Sequence, residues 1–164
     1  MAQQAQQAQA QQAQAQQAQA QQTQAQQTQA QQTQAQQTQA QQTQIITAMT
    51  PLDLQYLQKN ARGKVVVVKF GATWCNPCKV IKPTCEAWIR AAPANIIYAD
   101  IDIDESMDLY MALKNKKMVR GVPVLLAFDC SKQRDQWYIP DDSVEGGDSE
   151  AVEKFFQRVS VSKP

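Results

Sequence analysis

Histidine is absent from this chain of 164 residues, and no charged side chain occurs before Asp53. Glycine is scarce: there are only five, and all of them, like the seven prolines, lie beyond Gln44. No apolar stretch is long enough to cross a bilayer. The N-terminus lacks the positive n-region and apolar h-region of a secretory signal, and it lacks the arginines of a transit peptide. The expected compartment is therefore the cytoplasm, whose reducing conditions make a surviving Cys pair more often catalytic or metal-binding than structural. Acidic and basic residues nearly balance at 15 and 16, which removes any general electrostatic case for nucleic acid or an anionic membrane as partner. No Gly-rich nucleotide-binding motif is present, so no cofactor is expected and electrons, if any are handled, must come from another protein.

What is present divides at Gln44. Residues 1–44 form an arm of Gln, Ala and Thr after the initiator Met, repeating in fives from Gln6 onward. Ala and Gln favour helix locally, but a five-residue period advances about 140° per unit on an α-helix, so Thr forms no stripe. Such a helix has no face to bury, and burial is where most helical stability comes from. The arm reads either as a disordered tail or isolated helix without chemistry, or as a Gln-rich self-association segment. Residues 45–160 are the size of one domain with a single core, and 161–164 are a tail.

Within the domain, Ile45 to Met49 predicts a short strand. Thr50-Pro51-Leu52-Asp53 is helix-start chemistry, with a capping Thr, Pro at the first helical position and an acidic residue at the third. Val65 to Phe70 is nearly continuous apolar sequence, as expected of a strand covered on both faces. A helix opening at Cys75 and containing Pro83 follows, then a strand at 96–102, a helix over about 105–114 and a strand at 122–128. Trp137-Tyr138-Ile139 predicts a shorter strand, 141–147 a loop, and Asp148 the cap of a last helix. The order gives an α/β domain, parallel at first with an antiparallel hairpin added.

The chemistry concentrates in Trp74-Cys75-Asn76-Pro77-Cys78-Lys79, placed where the buried strand turns into a helix. The two sulfurs are one helical turn apart. Cys75 lies at the helix N-terminus, where free backbone N–H groups and the dipole favour a thiolate. A thiol of pKa near ~8.5 is only a few per cent ionised at neutral pH, and one lowered to about 7 is half ionised. The competing reading is a zinc knuckle or two buried thiols. Zinc would want a second close pair, and Cys85 and Cys130 are far apart with no His to complete a site, so no metal is expected.

Over nearly all of residues 45–160 the chain resembles thioredoxin. The resemblance rests on the Val65–Phe70 strand, Ala72-x-Trp74-Cys75-x-Pro77-Cys78-Lys79, Pro83 inside the helix, and Arg120-Gly121-Val122-Pro123, in family order and near family spacing. It implies the thioredoxin fold, a central mixed sheet flanked by helices on both faces. It also implies that Cys75 attacks a substrate disulfide, that Cys78 resolves the mixed disulfide, and that the pair cycles between dithiol and disulfide. Trp74, Asn76 and Pro77 support the site. By the same resemblance Pro123 is cis and lies against the Cys pair, and the backbone of Val122 binds substrate, with Trp74 shaping the contact surface. The partners implied are disulfide-containing proteins and a thioredoxin-reductase-like electron donor. Pro77 in the third motif position, and the lack of any His beside the thiolate, favour reduction over disulfide donation.

Three positions depart from the family. Asn76 replaces the usual Gly. Gly71 replaces a bulky aromatic and leaves space beside the active-site strand. Lys69 stands where a buried Asp is usual, and Asp100 where its Lys partner is usual, so the pair reads as charge-swapped. A cation there stabilises the Cys78 thiolate and leaves Asp100 as a candidate proton acceptor. Removing either partner is expected to cost about 3–5 kcal/mol if burial is complete; otherwise Lys69 threads its stem past the core and holds its charge in water. Cys85 is expected to be buried and Cys130 exposed. The sequence-level function is a thiol–disulfide oxidoreductase; the alternative is a non-catalytic interaction module on the same fold, with the Gln-rich arm as its adhesive segment.

Overall fold

A computed structural model describes residues 44–161. The arm, apart from Gln44, and the last three residues lie outside the described part, as do the readings made for them. The described elements are β1 (Ile45–Ile46), α1 (Pro51–Asn60), β2 (Val65–Gly71), α2 (Asn76–Arg90), β3 (Ile96–Asp102), α3 (Met107–Asn115), β4 (Val124–Asp129), β5 (Asp142–Glu145) and α4 (Ser149–Val161).

The five strands make one sheet in the order β1-β3-β2-β4-β5. β1 and β2 run parallel to β3, while β4 is antiparallel to both β2 and β5. This is the expected mixed sheet. β2 lies at its centre and is buried along its whole length, which is why its sequence is an apolar run and not an alternation.

Alternation along β2 and β3 divides the core in two. Val66, Val68 and Phe70 join Ala99 and Ile101 under α1 and α3, with Leu54, Leu109, Tyr110 and Leu113. Val65, Val67 and Tyr98 face α2 and α4 and meet Ile81, Cys85, Val152, Phe155 and Phe156. The period of two puts Lys69 and Gly71 of β2, and Asp100 of β3, on this second face. The register sets Lys69 directly beside Asp100. A polar pair is thereby carried under the N-terminal half of α2.

The helix starts follow local chemistry. The Thr50 hydroxyl accepts from the Asp53 N–H at 3.2 Å, and Asp53 Oδ2 accepts from the Thr50 N–H at 2.8 Å, closing a capping box. α2 continues through Pro83.

Several elements differ from the sequence reading. β1 stops at Ile46, and Met49 is instead buried in the α1/α3 core. α3 begins at Met107, two residues later than expected, after a turn in which the Ser106 N–H donates to the Asp102 carbonyl. β4 begins at Val124, so Val122 and Pro123 precede the strand. Trp137, Tyr138 and Ile139 form no strand. Their backbone is held outside the sheet, where Gln58 Nε2 donates to the Trp137 carbonyl and Arg134 Nη1 to that of Ile139. The edge strand lies in the segment expected to be a loop, Asp142 to Glu145. It is anchored to α4 by Arg158, whose Nε and Nη2 donate to the two Asp142 oxygens at 2.7 and 2.9 Å.

Candidate functional site

β2 ends at Gly71, and the chain turns through Ala72 to Trp74 into α2. The Cys75 N–H donates to the Ala72 carbonyl at 3.2 Å, and the Ile103 N–H to the Gly71 carbonyl at 3.0 Å, tying this turn to the end of β3. Cys75 is the N-cap of α2, and its Sγ accepts from the Cys78 N–H at 3.2 Å. A sulfur at the N-cap uses one of the orphan N–H groups that a Ser or Asp oxygen would take in an ordinary helix. Cys75 and Cys78 are joined in a disulfide with their Cα atoms 5.3 Å apart. In this oxidised form both are nearly inaccessible, at 3 % and 6 %.

The surroundings come from four segments. Val122 and Ile103 pack on the small cluster of Ala72, Cys75 and Cys78. The Val122–Pro123 peptide is cis, and the Pro123 carbonyl accepts from the Gly146 N–H at 2.9 Å. Among the described residues no hydrogen bond is made to the Val122 backbone. Gly147 lies against the active-site turn: a Cβ there would come within 2.7 Å of Pro77 Cβ and 3.1 Å of its Cα. Any side chain at 147 would therefore push the last turn before α4 off Pro77. Trp74 is 63 % exposed, yet its indole is oriented by Asp104, whose Oδ2 accepts from Nε1 at 2.8 Å.

Beneath the disulfide lies a polar cluster. Lys69, 7 % exposed, donates from Nζ to Asp100 Oδ1 at 2.6 Å. The ammonium is thus paired inside the fold, and the snorkelling alternative does not apply. The Asp100 side chain is 41 % exposed, so burial of the pair is incomplete and the 3–5 kcal/mol expectation is too large. Gly71 explains how the head group fits. A Cβ on Gly71 would sit 3.5 Å from Lys69 Nζ and 3.6 Å from Cys78 Sγ. The space expected at Gly71 is therefore flanked by the ammonium on one side and the resolving sulfur on the other, and a Cβ there would touch both at ordinary van der Waals contact.

Cys85 and Tyr98 complete the cluster. Burial pushes the Cys85 thiol up to about 11, with the Lys69 charge opposing more strongly than Asp100 reinforces. Burial likewise raises the Tyr98 phenol, whose hydroxyl lies against the Cys85 thiol. Cys130 was expected at the surface and is buried instead, its Sγ 3.8 Å from the Phe128 carbonyl; burial raises its thiol too. The fold carries Cys130 under the loop of residues 131–141, which no local sequence signal foretold.

The sequence reading missed Asp104, Gly147 and Tyr98. A Gly-Gly pair just before a helix was the only signal for Gly147, and nothing local marked the other two. Among the described residues no cluster of His, Cys, Asp and Glu could hold a metal ion, and no helix is long and apolar enough to cross a membrane.

A mixed sheet with helices on both faces, and a disulfide closed across the first turn of the helix leaving its central strand, define a thioredoxin-fold protein with a dithiol–disulfide pair. The Thioredoxin family model matches residues 52–157, and the chain belongs to the thioredoxin family. Thioredoxin-1 of Saccharomyces cerevisiae is 42 % identical over 73 residues, 44 % of this chain and 66 % of the yeast protein. Thioredoxin of Ophiophagus hannah is 42 % identical over 50 residues, 30 % of this chain and 47 % of the snake protein. The matched stretches thus span about half to two thirds of these relatives. The crystal structure of Malassezia sympodialis thioredoxin superposes with a TM-score of 0.51 at 26 % identity, covering 71 % of this chain and 91 % of that one.

Proposed function

We propose that the protein reduces disulfide bonds in other proteins through a Cys75–Cys78 dithiol–disulfide cycle. The observation that carries this reading is the disulfide itself, closed between the N-cap and the third residue of α2. In the dithiol state the Cys75 thiolate keeps the Cys78 N–H and the helix N-terminus as its stabilising partners. It attacks one sulfur of the substrate disulfide. The substrate S–S bond breaks, the distal sulfur leaves as a thiolate and takes up a proton, and a mixed disulfide forms on Cys75. Cys78, as thiolate, then attacks Cys75 Sγ and expels the second substrate sulfur. Two electrons pass to the substrate, and Cys75–Cys78 is left oxidised.

Roles for the neighbours follow from their places. Trp74, held by Asp104, offers an exposed apolar face to the substrate chain. Val122 lies against the sulfurs with an uncommitted backbone, suited to pairing with an extended substrate segment, and Pro123 fixes the approach. Asn76 and Pro77 shape the first turn of α2, and Gly147 keeps that turn open to a partner. The electrons return from a separate thioredoxin-reductase-like protein. Two further cysteines that remain free thiols suit a reducing compartment such as the cytoplasm.

Insulin reduction by dithiothreitol tests the reading. The native chain is expected to accelerate it, and Cys75→Ser to abolish the acceleration. Equal rates with and without the native protein would overturn it.

A further inference from the structure

The Cys78 thiol must lose a proton before it can resolve the mixed disulfide, and the residues behind it decide what makes that possible. From β2 the ionisable group facing this region is Lys69; from β3 they are Asp100 and Tyr98; from α2 itself it is Cys85. The segment before β4 presents only Val122. Lys69 shares a space with the sulfur, since its Nζ and Cys78 Sγ flank the same point above Gly71 at 3.5 and 3.6 Å. An ammonium carries three N–H donors. Among the described residues only Asp100 Oδ1 accepts from Lys69 Nζ, so two donors remain uncommitted in a site 7 % exposed.

We propose that Lys69 is a positioning residue for the second exchange step, its ammonium holding Cys78 as a thiolate so that no neighbouring base is required. The inference rests on the redox role proposed above. Cys78 gives its proton to water and its thiolate attacks Cys75 Sγ. The bond between Cys75 and the substrate breaks, and the substrate sulfur leaves as a thiolate that is then protonated. Asp100 holds the Lys69 head group in place; it does not take the proton. Its carboxylate is already engaged at 2.6 Å by the ammonium, and it is partly in water. Cys85, packed in the same cluster, feels the Lys69 charge more strongly than that of Asp100, as expected if the ammonium is the charge that this face of α2 meets. Gly71 belongs to the same place, because the space beside its Cα is bordered by both the cation and the sulfur.

The proposal fixes the sign of the shift for each variant. In a Cys75→Ser chain, where Ser preserves an oxygen cap for α2, the ultraviolet absorbance of the thiolate reports Cys78 as pH is raised. Cys85 and Cys130 are displaced upward by burial and do not obscure it. Adding Lys69→Met is expected to raise the Cys78 midpoint by about one unit or more. Adding Asp100→Asn is expected to lower it, because the cation is left unneutralised, and Lys69→Arg is expected to stay near the parent. If Lys69→Met does not fold, Asp100→Asn and Lys69→Arg decide the question by the same signs. An unmoved or lowered midpoint in Lys69→Met, or a raised one in Asp100→Asn, overturns the proposal. The absorbance needs no disulfide reduction, so its outcome is separate from that of the insulin assay.

Discussion

The two ends of the central strands use the same charged groups for different ends. Where β2 begins, beside Asp129 of β4, Asp141 collects donors: Arg134 Nη2 at 2.7 Å, the Asp129 N–H at 2.7 Å and Lys132 Nζ at 3.0 Å. Arg134 also donates to the carbonyls of Asp129 and Ile139. This cluster closes the loop between β4 and β5 and buries Cys130 beneath it. Where β2 ends, a single ion pair, Lys69 with Asp100, lies behind the disulfide. A carboxylate holding three donors is locked in place. An ammonium holding one acceptor, in a space kept open by Gly71, retains capacity to act on a sulfur. Saturation distinguishes the end that holds from the end that reacts.

Arg134→Ala strikes the saturated cluster and is expected to have the largest effect on stability. It removes one of the three donors to Asp141, one of the two to the Asp129 carbonyl and the one to the Ile139 carbonyl, and the loss should be about 2–3 kcal/mol, reduced from that of a fully buried pair by the cluster's partial exposure. Denaturant titration measures it, with the rate of disulfide exchange unchanged. Lys69→Met is expected to cost less, about 1–2 kcal/mol, because Asp100 can rehydrate once unpaired. Asp100→Asn on top of it should recover most of that loss, and strictly additive effects in the double-mutant cycle would show that the pair does not interact.

The pH dependence of stability sharpens the contrast further. Burial would raise the Asp141 carboxyl, but the hydrogen bonds from Arg134, Asp129 and Lys132 prevail and hold it below its ordinary 3.8. Asp142 is lowered chiefly by its hydrogen bonds from Arg158. A carboxyl lowered in the folded state contributes stability that is complete above 3.8 and lost as pH falls through the folded value. Acid unfolding should therefore start at the loop end, and Asp141→Asn should flatten the limb below about pH 4. The smallest effect lies on the alkaline side. Cys85 is raised from 9.0 to about 11, so its contribution is complete below 9 and disappears as pH rises through about 11. Cys85→Ala should reduce the alkaline slope in thermal melts at successive pH values, leaving the part that Cys130 and Tyr98 contribute.

The reactive end was legible in the sequence because its signals are local. An apolar run, a Cys pair beginning five residues beyond it and a helix start lie within fifteen residues of one another. Pro83 and the Val122–Pro123 dipeptide added confirming marks at a distance. The Lys69–Asp100 pairing was implied by the family resemblance, with strand 96–102 aligned without a gap, and the two side chains lie 2.6 Å apart. The loop end was not legible. Trp137, Tyr138 and Ile139 have the composition of a strand, but side-chain hydrogen bonds from Gln58 and Arg134 take their carbonyls. Asp142 to Glu145 has the composition of a loop, yet pairs with β4 as an edge strand whose polar residues suit an exposed edge. The burial of Cys130, the grip of Asp104 on Trp74 and the contact of Gly147 with Pro77 all depend on contacts between residues distant in sequence, and no local pattern encodes them.

The central claim is that only the Cys75–Cys78 end of this domain is built to react. Reduced full-length protein should be alkylated in the native state near neutral pH, and each of the four cysteines followed by mass spectrometry. Cys75 should be labelled first, Cys78 more slowly, and Cys85 and Cys130 only when the protein is unfolded. Labelling of Cys85 or Cys130 at the rate of Cys75, or of Cys78 ahead of Cys75, would contradict the account.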